Sequence, residues 1–194
     1  MKTFLELDTK EKLQIFEQIR SKTGLPIQAI EKDWWVVQTL SLIFSMDCAP
    51  HIVFKGGTSL SKAWNAIERF SEDIDLALDR RFLGFETESS KTQVAKLRKA
   101  SFEYISTVFF HQLQEQFNNA GFTDLKIQLA TVKDTDQDPI IIEIYYPEVS
   151  PTSVYLKPKD YEIMQQNMIY GNSLSFEKLM QRIELLQKQI NMKK

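Results

Sequence analysis

Two short stretches of this chain hold the residue types from which phosphate and metal chemistry is built. The first is Phe54-Lys55-Gly56-Gly57-Thr58-Ser59, an apolar run that stops at paired glycines and continues into hydroxyls. Glycine lets a backbone come close to a ligand. The N–H groups at the start of a following helix can hold phosphate oxygens, with Thr58 and Ser59 adding hydroxyl donors. The same residues also make an ordinary strand-to-helix turn with a Ser or Thr cap, so this stretch alone does not decide. The second stretch is Ser71-Glu72-Asp73-Ile74-Asp75-Leu76. Aspartates two apart on a strand share one face, with Ile74 and Leu76 on the other. Carboxylates so crowded repel each other, and a hard divalent cation such as Mg²⁺ or Mn²⁺ relieves the repulsion. A solvated, charged strand edge is the competing reading, because Glu72 and Asp79 lie close by. Together the two stretches say more than either does alone. A helix that follows the glycines returns the chain to a neighbouring strand, so carboxylates and phosphate-binding amides can share one mouth that suits a nucleoside triphosphate.

Other residues are candidates for smaller parts. Lys62 lies one helical turn beyond Thr58, within reach of a phosphate, although a surface lysine reads the same way. Lys55 precedes the glycines, and Arg69 is placed to pair with Asp73 or Asp75. Glu143, inside Ile140-Ile141-Ile142-Glu143-Ile144, is the candidate for a third carboxylate. Burying an unpaired charge in such a strand is costly, so it either serves a site or faces solvent at a sheet edge. His51 and His111 have no partners at ligand spacing and read as structural or exposed; Trp34, Trp35 and Trp64 read as core. Lys91, Lys96, Arg98 and Lys99 form either an RNA-facing cluster or a solvated helix face.

The elements that must position these groups follow from periodicity. An amphipathic helix opens at Thr9 through Leu13, Phe16 and Ile19 and stops at Gly24-Leu25-Pro26. A second helix places Ile30, Trp34, Val37, Leu40 and Ile43 inward and is broken by Ala49-Pro50-His51. Ile52-Val53-Phe54-Lys55 reads as a buried strand, residues 58–67 as a helix with Trp64 on its apolar side, and residues 74–78 as a second strand. A long helix is expected over 91–118, closed by Gly121. Two strands, 125–132 and 139–146, are joined by the acidic loop 134–138, and helices over 160–170 and 175–190 follow. The order implies an α+β domain with a small mixed sheet flanked by helices.

Composition bounds the function classes. The 194 residues are 43% hydrophobic with 13 Phe, enough to build a core and to exclude a disordered chain. A net charge of -2 gives no global pull toward nucleic acid or an anionic membrane surface. One cysteine, Cys48, excludes an intrachain disulfide and a cysteine-rich zinc site and fits a reducing, cytoplasmic setting. No stretch approaches the roughly 18 apolar residues of a membrane span, so no membrane partner is expected.

Phe54-Lys55-Gly56-Gly57-Thr58-Ser59-Leu60-Ser61-Lys62, followed by Arg69-Phe70-Ser71-Glu72-Asp73-Ile74-Asp75-Leu76, resembles the AbiEii/AbiGii toxin family of nucleotidyltransferases. Lys96-Leu97-Arg98-Lys99-Ala100 and Lys159-Asp160-Tyr161-Glu162-Ile163-Met164 extend the likeness. The resemblance implies a polymerase-beta-like nucleotidyltransferase fold, with N-terminal helices over 1–50, the nucleotidyltransferase core over 51–158 and C-terminal helices over 159–194. It implies an enzyme that uses Mg²⁺ (or Mn²⁺) and a nucleoside triphosphate to transfer a nucleotidyl group to a hydroxyl acceptor. RNA is the acceptor expected, since some members act on tRNA ends. Several members are toxins of type IV toxin–antitoxin or abortive-infection systems, so an antitoxin protein is an expected partner. Carried onto this sequence, Asp73 and Asp75 would hold metal, and Gly56, Gly57, Thr58, Ser59 and Lys62 would hold the nucleotide. The sequence departs from the family after Tyr155-Leu156-Lys157-Pro158, where members continue into a strand with a third acidic residue, a Glu-Lys-Leu helix and an Arg-His-x-x-Asp-Leu region. Here Pro158 runs directly into Lys159-Asp160-Tyr161, so the chain reads as internally shortened. Glu143 is then the remaining catalytic carboxylate, and the alternative is a catalytically impaired, nucleotide-binding or antitoxin-interacting remnant.

Overall fold

In the computed structural model of the chain, two helices come first, α1 (Thr9–Thr23) and α2 (Ile27–Ile43). The structure describes residues 3–67, 71, 73–86, 90–130 and 140–150. The helices expected over 160–170 and 175–190, the loop 134–138, Arg69 and Glu72 lie outside these. β1 (Ile52–Lys55) leads into α3 (Gly56–Lys62), and β2 (Asp75–Leu78) follows. Then come α4 (Lys91–Tyr104), a π-helical stretch Ile105–Phe109, α5 (Phe110–Asn119), and the strands β3 (Lys126–Leu129) and β4 (Ile142–Tyr145). The chain is α+β, as its sequence implies. Its described strands form two two-stranded sheets, β1–β2 and β3–β4.

By its internal contacts the chain divides into two interleaved units. One comprises Lys10–Val36, Phe54–Asp75 and Ser150–Lys194. Its α1 buries Phe16 and stops where Gly24, at φ +75°, donates its N–H to the Arg20 carbonyl at 2.8 Å. That left-handed residue closes the helix at no Cβ cost. In α2 the buried positions of this unit are Ile27, Ile30, Val36 and Glu31, the last only 2% exposed. Burial of a carboxylate requires a donor, and Glu31 accepts from the Ser150 backbone N–H at 2.9 Å. α3 ends earlier than its sequence suggests. Asn65 adopts φ +47°, and Ala66 donates across it to the Leu60 carbonyl at 2.8 Å, a left-handed turn for which asparagine is well suited. Trp64 is therefore 49% exposed rather than in the core.

The other unit comprises Met1–Thr9, Val37–Val53 and Leu76–Val149. Its buried side chains include Ile43, Met46, Cys48, Phe109, Leu113, Phe117 and Phe122. Val37, expected inward, is 45% exposed; the buried α2 positions of this unit are Thr39 and Ile43, one turn apart, and an apolar pattern skips Thr39. Val53 is 60% exposed, so β1 is half-buried rather than buried, with Ile52 and Phe54 as its inward positions. α4 is started by Ser90, whose Oγ accepts from Gln93 N–H while Gln93 Oε1 accepts from Ser90 N–H. The helix expected over 91–118 is continuous but loosens to π geometry at Ile105–Phe109. Ser106 and Thr107 donate their hydroxyls to the Phe102 and Glu103 carbonyls, each at 2.6 Å, and such side-chain bonds compete with the ladder. β3 and β4 pair antiparallel with Ile127 opposite Ile144 and Gln128 opposite Glu143. Alternation puts Lys126, Gln128, Glu143 and Tyr145 on one face.

Candidate functional site

The glycine turn and the aspartates meet inside the first unit. Gly56 has φ +74°, a conformation that side-chain-bearing residues rarely adopt. Space forbids a side chain as well: a Cβ built there would lie 2.0 Å from Asp75 Oδ2 and 2.8 Å from its Cγ. The Asp75 carboxylate thus occupies the room that the missing side chain leaves at the strand-to-helix turn. Gly57 differs, since a Cβ there would meet only Ser71 Oγ, at an ordinary 3.7 Å.

Thr58, fully buried, fixes the aspartate segment from the next position. Its hydroxyl donates to the Asp73 carbonyl and shares a hydrogen bond with Ser71 Oγ at 2.8 Å. Ser59, also buried, donates to the Phe54 carbonyl at 3.0 Å and so ties α3 to the strand before it. Both hydroxyls expected to face a phosphate are thus engaged with protein atoms, and they hold the turn and the carboxylate segment in place. Asp73 and Asp75 are themselves exposed, and β2 begins at Asp75, so Asp73 lies just ahead of the strand. Among the described residues neither aspartate forms an ion pair.

Lys62, at the end of α3, forms an ion pair with Asp33 of α2. Sequence reasoning misses Asp33, because it stands in a run of three charged residues, Glu31-Lys32-Asp33, with nothing to distinguish it from its neighbours. Lys55 is exposed beside the glycines. Glu143 belongs to the other unit, on β4, whose recorded pairing partner is β3. Its carboxylate accepts from Gln128 Nε2 at 2.8 Å and from Tyr145 Oη at 2.9 Å. These bonds, Gln128 first, hold it below the usual glutamate range, while the Tyr145 hydroxyl is pushed above its own. His51 stacks on Phe82 with ring centroids 4.6 Å apart, and His111 is exposed, as their lack of ligand partners implies. Lys91, Lys96, Arg98 and Lys99 are all exposed on α4.

The donor set can be tested against a divalent cation. Among the described residues no three of His, Cys, Asp and Glu gather as a ligand group. Two exposed carboxylates suit a hard ion that keeps water and phosphate oxygens in its remaining positions, which is how Mg²⁺ binds. No described helix is long and apolar enough to cross a membrane.

A family model described as "Nucleotidyl transferase AbiEii toxin, Type IV TA system" matches residues 43–180. That interval takes in the glycine turn, both aspartates and Glu143, and it covers well over half of the chain. No curated protein matches the chain, and no solved structure matches it.

Proposed function

The chain belongs to the AbiEii family of nucleotidyl transferase toxins of type IV toxin–antitoxin systems, and from that premise we propose that it transfers a nucleotidyl group from a nucleoside triphosphate to a hydroxyl of RNA. The observation that carries this reading is the Asp75 carboxylate seated against Gly56, with Asp73 pinned beside it through Thr58. The aspartate segment and the glycine turn thereby lie together. In this reading Asp73 and Asp75 hold Mg²⁺ or Mn²⁺, which would neutralise the phosphates and stabilise the departing pyrophosphate. The backbone at Gly56 and Gly57 approaches the triphosphate. Ser59 keeps the turn against β1, and Lys62 exchanges Asp33 for a phosphate oxygen. The acceptor oxygen forms a bond to the α-phosphorus, the bond from that phosphorus to the bridging oxygen breaks, and pyrophosphate leaves. The hydroxyl's proton passes to solvent water, because Asp73 and Asp75 are engaged with the metal in this reading. Glu143 stands in the other unit with its carboxylate bonded to Gln128 and Tyr145, and no step of this reading is routed through it. A cytoplasmic toxin of this kind would be restrained by a cognate antitoxin protein.

A second reading, a nucleotide-binding or antitoxin-binding remnant with little turnover, is favoured by one observation: Pro158 runs directly into Lys159-Asp160-Tyr161. Incubation of the full chain with labelled nucleoside triphosphates, Mg²⁺ and total RNA separates the two. The transferase reading predicts labelled RNA that disappears with Asp73→Ala. Nucleotide binding without labelled RNA would support the remnant instead.

A further inference from the structure

We infer that Thr58 is a positioning residue for the aspartate pair, acting on the metal through Asp73 without touching the nucleotide; this rests on the reading of Asp73 and Asp75 as metal ligands. Three observations lead there. Thr58 is 0% exposed, so its hydroxyl is closed to a triphosphate. That hydroxyl is spent on the Asp73 carbonyl, 15 residues away in sequence, and on Ser71 Oγ, 13 residues away. The segment it holds ends at Asp75, whose carboxylate lies where a side chain at Gly56 would stand. Position 58 therefore fixes the backbone from which one carboxylate projects, while position 56 leaves room for the other.

The physical consequence is specific. A carboxylate pair binds a cation well only if both groups are held in place before the ion arrives, since ordering them afterwards costs conformational freedom. With the Thr58 hydroxyl removed, the Asp73 carbonyl and Ser71 Oγ lose their partner, and residues 71–73 are no longer tied to α3. Groups that orient metal ligands from behind typically change metal affinity about 10–100-fold when mutated. Ser71 belongs to the same clamp and supplies its second bond.

The test uses Mn²⁺ alone, without nucleotide, titrated into the full chain and its variants, with thermal unfolding measured alongside. Thr58→Val, which keeps shape and removes the hydroxyl, is expected to weaken Mn²⁺ binding by about tenfold or more. Thr58→Ser, which keeps the hydroxyl, restores it to within a few-fold of wild type, and Ser71→Ala gives a smaller loss. A residue that only contacted phosphate would leave Mn²⁺ affinity untouched in Thr58→Val, and that result overturns the inference. If Thr58→Val does not fold, Ser71→Ala decides: unchanged Mn²⁺ affinity in that variant overturns the clamp. Asp75→Asn separates this failure from that of the premise. Wild-type Mn²⁺ binding that Asp75→Asn abolishes and Thr58→Val leaves intact sinks the clamp alone. Equal Mn²⁺ affinity in wild type and Asp75→Asn removes the metal assignment and the clamp together.

Discussion

At the scale of single residues, the two glycines of the turn have different reasons to be glycine, and substitution can tell them apart. Gly56 is required by the protein itself, through its positive φ and the Asp75 carboxylate lying in its Cβ position. Gly56→Ala should carry roughly 1–2 kcal/mol of backbone strain, lower the melting temperature and displace Asp75. Gly57 has room for a methyl group within the protein, so its requirement, if any, comes from a ligand. Gly57→Ala should melt near wild type yet bind nucleoside triphosphate several-fold more weakly. Unchanged nucleotide affinity would remove Gly57 from the phosphate contact. Tyr104 bears on stability instead. Burial, reinforced by a hydrogen bond with the Cys48 thiol, pushes its hydroxyl up to about 12. Folding therefore favours the neutral phenol. Its contribution is full below the unfolded tyrosine's value of about 10 and is lost as pH rises toward 12. The melting temperature should fall across that window in wild type, and fall less in Tyr104→Phe; parallel curves would show that another group controls alkaline unfolding.

At the scale of elements, helices stand on ends as much as on faces. The reciprocal Ser90–Gln93 bonds start α4, so Ser90→Ala should cost about 1 kcal/mol of stability in urea unfolding, and a loss near zero would mean the cap is not formed in solution. Helix existence was readable in α1, α2 and α4–α5 because long periodic stretches outweigh local exceptions. Ends and phases were less so. α3 was expected to reach Ile67, but Asn65 takes a left-handed conformation and stops it, which turns Trp64 outward. Nothing in the apolar spacing of Leu60, Ala63 and Trp64 announces that stop. In α2 the buried positions include the polar Glu31 and Thr39, and the buried side changes along the helix, so one apolar stripe drawn through Ile30 and Val37 wrongly places Val37 inside.

At the scale of the whole molecule, the candidate site is legible where its parts are close in sequence and silent where they are not. The glycine turn and Asp-x-Asp pair are each a few residues long and lie on consecutive elements, so residue type and spacing expose both. The Lys62–Asp33 ion pair joins positions 29 apart, and the Glu31–Ser150 bond joins positions 119 apart. Such contacts leave no period in a sequence. The burial of Thr58 is also a property of packing, which is why its hydroxyl reads as a phosphate donor from sequence and as a clamp in the structure. If Asp73, Asp75 and the Gly56 turn form one metal and triphosphate site, Mg²⁺ must act on nucleotide affinity through the aspartates. Titration of a nucleoside triphosphate into wild type and Asp75→Asn, each with and without Mg²⁺, reads this out. Mg²⁺ should strengthen nucleotide binding in wild type and have no such effect in Asp75→Asn. The same Mg²⁺ dependence in both proteins would contradict it.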